Sequence, residues 1–211
     1  FPPIGSDELA SNATTSVALT AGTYLVTGLS VYPNSQLRGY GNAVLKMTSA
    51  AGFVISTHDD PTTKAVPPTG SLRHGIIDNI TIDMDQKGCA GIWLECAWQW
   101  TIRNCKIYNI PPATHQPYPG DPAGTFTYVD NYASGLYDIC GASVKGAVNT
   151  SGAYYNTFED CWFSGISTTL GALGYMGIVL QTTADYDISR ANSTRIVRCK
   201  FKYLARSIMG I

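Results

Sequence analysis

A six-residue pattern occurs four times along the chain with its apolar positions in register. The four segments are Ile77–Ile82, Ile102–Ile107, Phe158–Phe163 and Ile196–Phe201. Their first residues read Ile, Ile, Phe and Ile, their fourth Ile, Cys, Cys and Cys, and their sixth Ile, Ile, Phe and Phe. A repeat of this kind predicts short strands that stack one coil above the next. We therefore expect an all-β solenoid whose function lies on a long side face.

The composition limits the classes of partner. The chain has 211 residues, 14% of them charged, and a net charge of −1. This length suits one domain with a substantial core. A balanced charge gives no electrostatic footprint for nucleic acid. The apolar runs are strand-sized and far shorter than the roughly 20 residues of a membrane span. We therefore expect neither nucleic-acid binding nor membrane insertion.

The spacing of the repeat predicts long inserted loops. From Ile80 to Cys105 is 25 residues, whereas Cys105 to Cys161 is 56 and Cys161 to Cys199 is 38. Since a coil takes roughly 25 residues, the surplus must leave the stack. The predicted excursions are residues 56–72, 111–134, 145–155 and 182–193. Solenoids usually place binding on the side that carries such insertions.

Six cysteines raise the question of disulfides or metal. Cys105, Cys161 and Cys199 share an inward position with Ile80, so we interpret them as buried, reduced thiols. Cys96 and Cys140 are expected to form a second column, because residues 91–96 resemble residues 135–140. The chain has no Cys-x-x-Cys pair, and we expect neither a metal nor a cofactor.

The third position of the repeat predicts a ladder of turns. Asn79, Asn104 and Asp160 occupy it, and such side chains favour tight-turn backbone conformations. Arg198 stands there in the last repeat and interrupts the series.

Two early segments carry a family resemblance. Residues 21–26 (Ala-Gly-Thr-Tyr-Leu-Val) and 37–41 (Leu-Arg-Gly-Tyr-Gly) resemble the opening coils of the pectate-lyase-like right-handed parallel β-helix. This fold is common in phage tailspikes and tail fibres and in some polysaccharide-degrading enzymes. The resemblance covers roughly residues 20–211 and implies a single-stranded right-handed parallel β-helix domain over residues 21–211. We expect this domain to belong to a longer chain or to have its ends covered by a partner or neighbouring subunit. Residues 1–20 would form an N-terminal segment, with Ser6–Ala10 as a candidate remnant of the family's capping helix.

The resemblance also implies partners and a location. Tailspikes of this kind are typically parallel homotrimers that work beside other virion tail proteins. Such a protein would be extracellular, on the virion tail, or secreted.

Carboxylates supply candidates for catalysis. Glycosidases need two carboxyl groups about 5–9.5 Å apart. Glu95 and Asp138, on predicted adjacent coils, form our first candidate pair, and Asp185 with Asp187 forms the second. The alternative is that each belongs to a solvated strand face or a loop. The calcium-binding and catalytic motifs of pectate lyases and polygalacturonases have no counterpart here.

Aromatic residues supply candidates for sugar binding. Flat rings bury the C–H faces of sugars and leave hydroxyl groups free for hydrogen bonds. We expect the following side chains on outward positions or flanking loops: Trp93, Trp98, Trp100, Tyr108, Tyr137, Tyr154, Tyr155 and Trp162. Packing against the solenoid wall or at a subunit interface is the alternative.

Three hypotheses about function follow. The first is a phage tailspike or tail-fibre domain for host attachment, which binds and could also depolymerise a bacterial surface polysaccharide. The second is a secreted pectate-lyase-like enzyme, either a glycoside hydrolase or a lyase. The third is a structural or adhesive β-helix without chemistry.

Overall fold

The structure is a computed structural model. It describes residues 16–50, 52–57, 72–112, 139–145, 152–166, 173–181 and 191–210. Within these ranges the regular secondary structure is all β-strand, in twenty segments numbered β1 to β20 along the chain. None of the described residues belongs to a helix that could cross a bilayer.

The strands form three sheets. Sheet A contains β1 (Ser16–Leu19), β4 (Gln36–Gly39), β7 (Leu72–Asp78), β10 (Ala97–Arg103), β13 (Ala153–Tyr154), β14 (Thr157–Glu159), β17 (Ala191–Asn192) and β18 (Arg195–Val197). Sheet B contains β2 (Gly22–Val26), β5 (Ala43–Met47), β8 (Thr81–Asp83), β11 (Lys106–Tyr108), β15 (Trp162–Ser164) and β19 (Lys200–Lys202). Sheet C contains β3 (Leu29–Ser30), β6 (Phe53–Ser56), β9 (Ala90–Glu95), β12 (Cys140–Lys145), β16 (Gly174–Gln181) and β20 (Leu204–Gly210).

Each strand pairs in parallel with the strand one coil away. The chain visits sheets A, B and C in turn and then returns to sheet A, beside its own previous coil. This is the right-handed parallel β-helix that the sequence predicts. The first described strand begins at Ser16 and pairs with β4, so the coils start before the boundary expected at residue 21.

The apolar positions of the repeat line the interior. Ile77, Ile102 and Phe158 are stacked on adjacent coils and buried. Ile82, Ile107 and Phe163 form a second buried row, as predicted. Branched and aromatic side chains suit this position because they pack well against a pleated surface. The corresponding residues of the last coil, Ile196, Cys199 and Phe201, are partly buried and pack on the same core.

The turn between sheets A and B confirms the predicted ladder. Asn79, Asn104 and Asp160 have left-handed φ angles of 55°, 54° and 53°. Arg198 keeps this conformation, with φ 51°, although Arg is a poor residue for it. Its guanidinium donates hydrogen bonds of 2.8 Å to both carboxylate oxygens of Asp160, so the ion pair helps to hold the turn.

A row of alternating charges runs along the outer face of sheet A. Arg38, Asp78, Arg103 and Glu159 lie on four successive coils. The Asp78 carboxylate accepts bonds from Arg38 at 3.0 Å and from Arg103 at 2.9 Å. Glu159 bonds to Arg198 at 2.6 Å. We refer to the first four residues as the charge row.

Cys105, Cys161 and Cys199 are free thiols, as predicted. All six cysteines are unbridged, and five of them are buried, with Cys199 half-buried. Cys161 interacts with Cys105 on one side and Cys199 on the other. The hydrogen bond with Cys105, followed by burial, raises the pKa of Cys161 to about 12, so this thiol is protonated at neutral pH.

The prediction of a second cysteine column is wrong. Cys140 pairs with Ala90 in the neighbouring coil, whereas the amide of Cys96 donates to the carbonyl of Lys145. The two cysteines are therefore at opposite ends of their strands. The glycine that matches Gly91 is Gly141, six residues after the one that the sequence comparison chose.

Glycines stack on successive coils of sheet C. Gly91, Gly141 and Gly177 lie on successive coils, between paired residues on either side. A Cβ atom on Gly91 would lie 2.7 Å from the Gly141 carbonyl oxygen, and one on Gly141 would lie 2.9 Å from that of Gly177. These distances are too short for any larger residue, so the glycines allow the coils to approach closely at this position.

Candidate functional site

The outer face of sheet B carries a straight row of side chains. The fifth position of the repeat places Thr81, Lys106, Trp162 and Lys200 beside one another on four successive coils. Their neighbours in the chain, such as Ile107 and Phe163, point into the core, and successive side chains of a strand alternate between faces. The row therefore projects away from the core.

Trp162 is the centre of this face. Its side chain is 40% exposed although the ring is large and apolar. The Lys106 ammonium lies 4.9 Å from the Trp162 ring centroid and 5.0 Å from that of Tyr108, a geometry typical of cation–π contacts. Lys200 is on the other side of Trp162, and Lys202 is two residues further along that strand. We call these residues the Trp162 patch: Lys106, Tyr108, Trp162, Lys200 and Lys202.

Two carboxylates border the patch but are already neutralised. The Lys46 ammonium is 3.1 Å from Asp85 and 3.7 Å from Asp83, and Lys87 bonds to Asp85 at 2.8 Å. The bond from Lys87, followed by that from Lys46, lowers the pKa of Asp85. Burial and, secondarily, the charge of Asp83 raise the pKa of Tyr108. At neutral pH Tyr108 is thus a neutral hydroxyl group.

Trp98 lies on sheet A, outside the Trp162 patch, and its ring contacts several other groups. Its indole N–H donates to the Gly152 carbonyl at 2.8 Å, and the Tyr154 ring meets it edge-on at 4.8 Å. The Arg73 guanidinium covers the ring at 5.0 Å. The ring is less exposed than that of Trp162, and its indole N–H is already bonded. Trp98 is therefore a weaker candidate for sugar stacking than Trp162.

A shallow hollow of about 320 Å³ lies on the same side of sheet A. It is lined by Asn34, Ser35, Gln36, His74, Gly75, Ile76, Gln99 and Thr101. His74 and Gln99 both have left-handed φ angles, which bulge the two strands at this point. The hollow has polar walls but no ionised carboxylate.

Two of the predicted outward tryptophans are fully buried, which corrects that expectation. Trp100 points into the solenoid interior, where Gly75 on the neighbouring strand leaves room for its ring. Trp93 points out of sheet C but stacks on Phe53 at 4.6 Å within a second apolar cluster. The alternation of side chains along a strand predicts the face on which a side chain lies. It does not predict whether other residues cover that face.

Glu95 is also fully buried and does not lie on a solvated face. Its carboxylate accepts a 3.0 Å bond from the indole N–H of Trp93. Lys145 is its register partner on the next coil and is buried as well. Strand β9, which ends at Glu95, is also held by Thr57, whose hydroxyl donates to the Glu95 carbonyl at 2.9 Å.

The remaining predicted site residues lie outside the described residues. They are Tyr137, Asp138, Asp185 and Asp187. The proposed pairing of Glu95 with Asp138 therefore stays a prediction. Over the described ranges, no three His, Cys, Asp or Glu side chains are grouped as a metal site would require.

Sequence reasoning missed the three lysines of the Trp162 patch. The signal was present, because Lys106, Trp162 and Lys200 occupy the same fifth position of the repeat. The repeat was interpreted from its inward positions, so the outward row of lysines was not predicted. The repeat brings Tyr108 and Trp162 together with these lysines on one face.

The comparisons with known proteins found no match for this chain. No family model matches the sequence, and neither a curated protein nor a solved structure matches it.

Proposed function

We propose that this β-helix binds a bacterial surface polysaccharide, as a domain of tailspike or tail-fibre type, and that the Trp162 patch contacts the sugar. The observation that carries the proposal is the exposed ring of Trp162 within a straight row of side chains. An extended ligand can follow such a row from coil to coil.

The chemistry of the patch suits a carbohydrate. An exposed indole provides an apolar plane for the C–H face of a pyranose. The surrounding hydroxyl and ammonium groups provide donors for ring substituents. Tyr108 adds a neutral phenol beside Lys106, at 5.0 Å from its ammonium to the ring centroid. A mainly apolar plane with a few polar groups is the usual composition of a small-molecule site.

Binding is better supported than cleavage at this patch. A general acid needs a carboxyl group whose pKa is raised towards neutrality. Asp85, a carboxylate at the border of the patch, has a pKa lowered by Lys87 and Lys46, so it stays ionised.

The test is binding to a panel of bacterial surface polysaccharides, followed by calorimetry on those that bind. Trp162→Ala is expected to weaken binding about tenfold or more, because a stacked aromatic is worth roughly 1–3 kcal/mol in analogous sites. Tyr40→Ala is the matched control, since Tyr40 is 58% exposed but precedes the turn into sheet B. Equal losses in both variants would contradict the assignment of the patch.

A reducing-end assay on the same mixtures separates the alternatives. Release of oligosaccharide would add depolymerisation and favour an enzyme, whether virion-borne or secreted. Absence of binding to every polysaccharide would favour a structural or adhesive β-helix instead. The resemblance to tailspikes supports a homotrimer outside the cell, on the virion tail and beside other tail proteins.

A further inference from the structure

We infer that the Trp162 patch selects an acidic polysaccharide, one that carries carboxylate or phosphate groups along its length. The inference rests on the proposed function and specifies its ligand. It depends on the charges on either side of Trp162.

Lysines flank the indole on both neighbouring coils. Lys106 precedes Trp162 in the row, Lys200 follows it, and Lys202 lies two residues beyond Lys200. Among the described residues, none of the three lysines has a carboxylate partner. Lys106 and Lys202 instead face aromatic rings, with the Lys202 ammonium 4.4 Å from the ring centroid of Tyr203. Cation–π contact leaves ammonium N–H groups available for an anionic ligand.

The other lysines of this face differ. Lys46 and Lys87 are held in ion pairs by Asp85 at 3.1 Å and 2.8 Å. The positive charge is therefore concentrated around Trp162, while the adjoining part of the sheet is neutral. The net charge of the chain is −1, so the patch is a local feature and not the result of a basic composition.

The spacing fits a repeating anion. Neighbouring coils are about 4.8 Å apart, which places the backbones that carry Lys106 and Lys200 roughly 10 Å from each other. A sugar ring stacked on Trp162 would lie between the two ammonium groups, within reach of both. The lysine ammonium is a compact charge with three rotatable donors, and it binds carboxylate or phosphate in many orientations. This suits a polymer whose acidic groups recur along the chain.

The patch is a poor fit for nucleic acid. Single strands bind to positively charged grooves in which successive bases stack on several aromatic side chains. Here one exposed indole lies on a flat face with three lysines. The inference therefore favours a polysaccharide, and an oligonucleotide serves as a competitor in the test.

The experiment uses hyaluronan and alginate, each beside its carboxyl-reduced, uncharged form. Wild-type chain is expected to bind an acidic form at least about tenfold more tightly than its reduced form in 50 mM NaCl, and to lose most of that preference in 0.5 M NaCl. The double variant Lys106→Gln/Lys200→Gln is expected to lose the preference while it still binds the reduced form. Glutamine keeps the first two methylene groups of the lysine stem and a hydrogen-bond donor, and it removes the positive charge.

Lys87→Gln is the matched control, because it removes the same charge from a lysine that is already paired with Asp85. Equal binding of the acidic and reduced forms by the wild type would overturn the inference and leave the proposed function intact. Binding of neither form of either probe would count against both. A deoxythymidine oligonucleotide that binds as tightly as the acidic polysaccharides would also overturn the inference.

Discussion

At the scale of single residues, Asp78 is the most consequential charge in the described structure. Its side chain is only 13% exposed, and it bonds to Arg38 and Arg103 on opposite neighbouring coils. Burial acts to raise the pKa of Asp78, but the hydrogen bonds from Arg103 and Asn104 outweigh it, so the net shift is downward. One carboxylate thus links three successive coils.

Asp78→Asn is expected to lower the free energy of unfolding by about 1–3 kcal/mol at pH 7, because two arginines lose a shared partner. The folded-state pKa of Asp78 lies below the unfolded value near 3.9, so the stabilisation is complete above about pH 4 and is lost as the pH falls further. Urea titrations at pH 7 and pH 3 measure this, and the difference between wild type and variant should shrink at the lower pH.

Asp160→Asn is the control for this prediction. Asp160 has the same kind of bond to an arginine, but its side chain is 42% exposed, so a smaller effect is expected. A difference for Asp78→Asn that is unchanged between pH 7 and pH 3 would show that the carboxylate charge is not the cause.

Residue identity predicted the turns better than it predicted exposure. The Asn and Asp ladder followed from side-chain chemistry, because these residues tolerate a left-handed backbone. Arg198 adopts the same conformation through its bonds to Asp160, an interaction with another coil that no local rule contains. The burial of Trp93 depends in the same way on Phe53, forty residues earlier in the sequence.

At the scale of elements, the close approach of the strands in sheet C depends on the stacked glycines. A Cβ atom on Gly141 would lie 2.6 Å from the Phe163 ring and 2.9 Å from the Gly177 carbonyl oxygen. Neither neighbour can move freely, since Phe163 is buried and the carbonyl belongs to the next coil. This position therefore has no space for even one methyl group.

Gly141→Ala is expected to lower the free energy of unfolding by about 1–3 kcal/mol through overpacking. Gly210→Ala is the control, because a Cβ there would meet nothing within 4 Å. Thermal and urea unfolding of the two variants provide the comparison. If both variants were as stable as the wild type, the close approach of β12 and β16 would not restrict the residue at position 141.

The sequence predicted strands more reliably than their alignment. The inward rows and the parallel pairing followed from the six-residue repeat, which fixes sheets A and B. Sheet C lacks a repeat of that strength, and two glycine-led segments compete for the same alignment with Gly91. Register between strands is weakly specified where small residues dominate, so a choice six residues away was equally consistent with the pattern.

At the scale of the whole molecule, the assembly state decides how the proposed site is used. Light scattering on the purified chain is expected to give three times the mass of one chain, as the resemblance to tailspikes implies. Three copies would present three Trp162 patches to one polysaccharide surface and raise the apparent affinity through multivalency. A monomeric mass at micromolar concentration would contradict this prediction and favour a secreted protein.

The sequence predicted only part of the candidate site. Trp162 and Tyr108 were predicted because aromatic residues outside the inward rows are easily recognised. The lysines were not, because the meaning of Lys200 depends on Trp162 being its neighbour in space. The contrast with Lys46 depends on an ion pair to Asp85. Such pairings become visible only when the coils are stacked.

The charge row also bears on how the coils find their order. A slip by one whole coil would still place apolar residues against apolar residues, such as Ile102 against Leu37 or Phe158 against Ile77, so the apolar core distinguishes poorly between correct and shifted stacking. The same slip would bring Arg103 against Arg38 and Glu159 against Asp78, and like charges directly opposite each other repel. Burial of apolar side chains drives the chain to coil, and repulsion between like charges in the charge row disfavours a coil that is stacked out of order.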